Sequence, residues 1–146
     1  MTYYKAQTTN SIACCLSCAL DKLALLDDDN QHLSSSRNHL STAVWLMDEY
    51  YRTWHSIIWK YSDQMTRKRV REQLKVLAYD AYTAFTQAMS FLNDYVEEQQ
   101  EKERNGSLVT PPPPWWPEMQ TSLILAESAF LEEHPHDIAS KQLRLF

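Results

Sequence analysis

Apolar residues recur at intervals of four and three along most of this chain, the spacing that lines up one face of an α-helix. Ile12, Leu16, Ala19, Leu23 and Leu26 form the first series and predict a helix over 11–26. Thr8, Thr9, Asn10 and Ser11 offer N-caps, while Asp27, Asp28 and Asp29 would oppose the dipole of a helix that continued. Residues 27–36 read as a loop, because their Asp, Ser and Asn side chains compete for backbone hydrogen bonds. Leu40, Val44, Met47, Tyr51, Trp54, Ile58 and Tyr61 carry the second series, which predicts a helix over 37–61 with that stripe buried. The phase is lost after Tyr61, so a break is expected near Ser62 or Asp63.

The third series is Val70, Leu74, Leu77, Ala81, Ala84, Ala88, Phe91 and Tyr95, predicting a helix over 64–104. A second apolar stripe on that helix, Ala78, Phe85, Met89 and Val96, implies contact with two neighbours. Asn105 and Gly106 follow where a left-handed C-cap is wanted. Residues 107–116 hold four consecutive prolines, Pro111 to Pro114, and read as an extended, polyproline-like loop ending in Trp115 and Trp116. Pro117 suits the first turn of a further helix over 117–133, whose buried face is Met119, Leu123, Ala126 and Phe130. Pro135 stops it, and Asp137 can cap a short helix over 137–144. The fold expected is all-α: a bundle of four long helices plus a short C-terminal one, in a single domain covering residues 1–146.

Composition narrows the picture. One glycine in 146 residues is too few for the turns of sandwiches and barrels or for phosphate-cradling loops, which favours helices and removes nucleotide-binding fingerprints. The formal charge is −5, yet it is unevenly spread. Residues 1–75 carry ten Lys/Arg against eight Asp/Glu, and residues 76–146 carry four against eleven. No apolar run reaches the ~18–20 residues of a membrane span, and Met1 to Asn10 lacks the pattern of a signal peptide, so no membrane association is expected and the expected compartment is the cytoplasm.

Three groups of residues invite a chemical reading. Cys14, Cys15 and Cys18 lie on adjacent helical turns but lack a convergent fourth ligand, and they read as small apolar fillers, with no metal site or cofactor expected. His32, His39, His55, His134 and His136 show no ligand spacing; Glu133 and His136 are separated by Pro135 and cannot share a helical face. Lys60, Arg67, Lys68, Arg69, Arg71 and Lys75 place six of the fourteen cations within sixteen residues, at a helix N-terminus whose dipole they oppose. They suit a nucleic-acid or anion patch with Trp59 and Tyr61 available for stacking, or they form a solvated turn or pair with the acidic run Asp94, Glu97, Glu98, Glu101 and Glu103 or with Glu132 and Glu133 of another helix or another copy.

Trp45, Arg52 and Trp59 recur every seven residues, about 120° around the helix from the buried stripe. They either face water as partner-binding anchors or are hidden by a second neighbour. Trp115 and Trp116 pose the same choice: a clamp for the proline loop, or a rigid ledge for a partner. The residues present no nucleophile with a base, no paired carboxylates and no cofactor loop, so the expected function is non-enzymatic. It is a protein-binding regulator or inhibitor, by fold-level analogy with immunity proteins, antitoxins and phage-borne inhibitors of host defence. The alternative is a nucleic-acid-binding regulator using the basic cluster. The length of the third helix, about 60 Å, leaves a homodimer open.

Overall fold

The computed structural model describes the backbone of residues 2–26, 30–109 and 111–135, and the side chains from Ile12 onward. Among these residues it is all-helical, with five helices and no strand. The first, α1, spans Thr2–Ala24. Its buried residues Ile12, Leu16, Ala19 and Leu23 are those of the first periodic series. It begins well before Ser11, because the preceding residues contain neither proline nor glycine and an internal Thr or Asn does not by itself end a helix.

The second helix, α2, spans Gln31–His55 and differs from the expected 37–61 at both ends. Asn30 caps it: its side-chain oxygen accepts the backbone N–H of His32 at 2.9 Å and of Leu33 at 3.4 Å. Residues 31–36 are therefore helix, not loop. Ser36 is buried there, and its hydroxyl donates to the carbonyl of Ala88, so a side chain that would otherwise disturb the helix has a tertiary acceptor.

At the other end the chain turns extended at Ser56 (ψ 119°), and a separate short helix, α3, spans Ile57–Lys60. The indole of Trp59 folds back and donates to the carbonyl of Thr53 at 2.7 Å, a last-turn carbonyl that the Ser56 N–H reaches only at 3.2 Å. This break resets the helical phase. Ile58 and Tyr61, expected in the buried stripe, face solvent, and Trp59 takes the inner position.

The fourth helix, α4, spans Gln64–Arg104, the length its periodicity predicts. Asp63 caps the start by accepting the Thr66 N–H at 2.7 Å. At the end Gly106 adopts φ 78°, Ser107 N–H donates to the Lys102 carbonyl and Gly106 N–H to that of Glu103, the paired bonds of a Schellman cap. The proline segment then turns, with Trp116 N–H donating to the Pro113 carbonyl. The last helix, α5, spans Trp116–Glu133 with Pro117 in its first turn. The helix expected over 137–144 lies outside the described residues.

Helix α2 runs antiparallel along α4, as the pairings of Ser36 with Ala88 and of Asn30 with Glu98 (3.4 Å) show. Helix α1 packs against both α2 and α5. Aromatic side chains link α4 to α5: the Phe130 ring lies 5.6 Å from those of both Phe85 and Tyr82. All four long helices thus contribute to one core, in which Ala81, Ala84, Ala88 and Phe85 of α4 cluster with the larger Leu33, Leu40 and Met47 of α2 and with Phe130 of α5.

Candidate recognition surface

The break at Ser56 makes a corner between α2 and α4, and most of the large apolar side chains it carries point outward. Ile57 is 66% exposed, Ile58 83%, Tyr61 86% and Met65 73%. Four such exposed side chains within nine residues are more apolar surface than a solvated turn requires. Beneath it, Trp59 is 9% exposed and tilts against Trp54 with ring centroids 6.3 Å apart. Lys60 lies with its ammonium 5.2 Å from the Trp54 ring centre and 5.8 Å from that of Trp59, so two indoles hold one cation at the base of the corner.

The remaining cations follow these side chains on the first turns of α4. Lys68, Arg69 and Arg71 are exposed, and among the described residues none has a carboxylate within ion-pair distance. Lys75 pairs with Glu72 at 3.6 Å on its own helix. Arg67 is half-buried, and its Nε is shut off from solvent without a hydrogen-bond partner. The acidic run does not neutralise this cluster within the chain: Lys68 and Glu97 are separated by about 44 Å of helix at 1.5 Å per residue. Asp63 sits closest in charge; its Thr66 hydrogen bonds, helped by Arg69 and Arg67, hold its carboxyl below the ordinary 3.8.

The expected tryptophan stripe divides. Trp45 is 59% exposed on α2 and Arg52 is exposed, its guanidinium paired with Glu49 at 3.4 Å. Trp59 leaves their line because of the break and belongs to the interior. Trp115 and Trp116 are half-buried against the core, with ring centroids 6.2 Å apart, and Trp116 lies 6.1 Å from Tyr95. They clamp the proline segment to α4. The pattern that reveals the exposed corner, Ser56 followed by two isoleucines just where the four-and-three register falters, is visible in the sequence only once Ser56 is known to end α2.

The histidines are dispersed. His39 stacks on Phe91 at 5.4 Å, His55 lies against Tyr51 at 4.2 Å, His134 meets Tyr50 edge-on at 5.1 Å, and His32 contacts Glu98 at 3.2 Å. His136 lies outside the described residues. Cys14 is exposed, while Cys15 and Cys18 are half-buried and remain thiols. Among the described residues no group of three or more His, Cys, Asp or Glu side chains converges as a metal site would require, and no helix is long and apolar enough to cross a membrane. No protein-family model matches the chain, and neither curated proteins nor solved structures give a match.

Proposed function

We propose that this chain is a non-enzymatic recognition protein, a bundle of four long helices that presents the α3 corner to another protein. The observation that carries this reading is the exposure of Ile57, Ile58, Tyr61 and Met65 together with that of Lys68, Arg69 and Arg71, which have no carboxylate within ion-pair distance among the described residues. Apolar side chains followed by guanidinium and ammonium groups match an apolar depression bordered by carboxylates on a partner. The Asp63 cap and the buried Trp59, bonded to the Thr53 carbonyl, hold the corner in shape before binding, which lowers the entropy lost on association. Such a protein acts as a regulator or inhibitor by occupying its partner's surface. Trp45 and Arg52 form a smaller, separate patch on α2.

The test is site-specific photo-cross-linking in extracts of the source cells. A benzoylphenylalanine in place of Tyr61 should capture one discrete protein. Capture should vanish when Ile58→Asp is added and persist at moderate salt. Absence of any discrete product from position 61 would count against the corner as a protein-binding surface.

A second reading has one observation in its favour, the three unpaired exposed cations Lys68, Arg69 and Arg71 with Tyr61 beside them for base stacking. Nucleic acid would then bind the same corner. Gel shifts with single- and double-stranded oligonucleotides separate the two: nucleic-acid binding falls steeply with salt and disappears in a Lys68→Glu, Arg69→Glu, Arg71→Glu variant.

A further inference from the structure

At the far end of α4 from the corner, the last turns of the helix, the proline segment and the start of α5 enclose a groove of about 760 Å³. Its walls are preformed. Tyr95 and Trp116 supply two aromatic rings tilted 43° to each other, and Pro111, Pro112 and Pro113 supply a stiff wall without backbone donors. Trp115 supports Trp116 from behind, and both pack on the core. The polar lining comes from one face of α4: Gln99, Gln100 and Glu103.

Among the described residues, no Lys, Arg or His lines this groove. Glu103 is exposed and has no ion pair among the described residues, whereas the nearby Lys102 is already engaged by Glu98 at 3.3 Å. Asp94, Glu97 and Glu101 on the same turns outweigh Arg104, whose Nε donates to the Gln100 carbonyl at 3.4 Å, and keep the local potential negative. An indole face and a carboxylate lining one groove favour a flat cation, since a guanidinium can stack on the ring while its N–H groups reach the carboxylate. The volume exceeds one arginine side chain and falls in the range that takes a ligand of several residues. Prolines on one side and carboxamides on the other suit an extended backbone, whose N–H and C=O groups Gln99 and Gln100 can meet. A polyamine fits less well, because it has no flat group to stack and would bring several ammonium charges to a lining with one carboxylate.

We propose that this groove binds an extended, arginine-bearing peptide segment of another protein, with the guanidinium against the Trp116 indole and paired with Glu103, and the adjoining peptide residue lying on Tyr95 two turns back along α4. The site is distinct from the α3 corner and does not depend on that reading.

The probe is an acetylated, amidated Gly-Pro-Arg-Pro-Gly peptide, titrated into the full chain while the Trp116 indole and the Gln99 and Gln100 side-chain amides are followed by NMR. Saturable shifts at these three positions are expected. Replacing arginine by citrulline, which keeps the shape and removes the charge, should weaken binding about tenfold, the loss of one charge-assisted pair. Glu103→Gln, on an exposed side chain that leaves the fold intact, should do the same to the arginine peptide and leave the citrulline peptide unchanged. Equal binding of the two peptides, tighter binding of spermidine than of the arginine peptide, or shifts confined to residues outside the groove would overturn the proposal.

Discussion

The hydroxyl of Ser36 on α2 donates a 2.9 Å hydrogen bond to the carbonyl of Ala88 on α4, inside the interface and away from water. It ties the two helices in one register and lets a small polar residue occupy a core position opposite alanine. Removing it leaves a small gap and forfeits the bond. Ser36→Ala is expected to lower unfolding stability by about 1 kcal/mol, read as a drop in urea midpoint at unchanged slope. An unchanged midpoint would show that the bond does not contribute.

Neighbouring residues at the corner should behave oppositely. Trp59 is interior and holds the end of α2 through Thr53, so Trp59→Ala should cost about 3 kcal/mol. Ile58→Asp and Tyr61→Asp replace exposed side chains and should stay within about 0.5 kcal/mol of the parent. Thermal melts of the three variants measure this directly, and a large loss for Ile58→Asp would mean that the corner is covered.

Two charged groups set opposite ends of a pH profile. The Asp63 carboxyl is held below 3.8 by its bonds to Thr66, so its stabilising share is complete above 3.8 and disappears as the pH falls through the lower folded value. Lys22, bonded to Glu118 at 3.0 Å, is raised above 10.5 by that bond and by Cys18. Its share is complete below 10.5 and fades as the pH rises through the higher folded value. Both contributions are modest, because Asp63 and Glu118 face water. The stability gap between the parent and Asp63→Ala should therefore narrow below pH 3.8, and that between the parent and Lys22→Met should narrow above pH 10.5. A gap independent of pH would contradict the assignments.

Gly106 ends α4 at φ 78° with no atom within 4 Å of where a Cβ would stand. Its role is therefore backbone conformation, not space. Gly106→Ala should cost about 1 kcal/mol, and Gly106→Asn less, since Asn tolerates the left-handed region; hydrogen exchange at Ser107 should rise in the alanine variant.

The ends of α4 were legible because each is written in local chemistry: an aspartate before the apolar series and an Asn-Gly pair after it. The limits of α2 were not. Ser34, Ser35 and Ser36 resemble a loop until Ala88 appears as the acceptor for the last of them, and that partner is 52 residues away. At the other end neither glycine nor proline marks Ser56, so the seven-residue spacing placed Trp59 with Trp45 and sent Ile58 inward. Tertiary bonding of the Trp59 indole decides otherwise. The basic cluster was plain in composition, but its freedom from the acidic run depends on the straightness and length of α4.

That same helix separates the molecule's charges. Cations predominate on its first turns and carboxylates, in excess over Lys102 and Arg104, on its last, with a largely neutral stretch of Thr83, Thr86, Gln87 and Ser90 between them. A body with opposite poles about 45 Å apart experiences a torque in the field of any charged surface it approaches. Encounters with an acidic surface would begin corner first and those with a basic segment groove first, so orientation is selected in flight and the rate of productive collision, more than the lifetime of the complex, should respond to ionic strength.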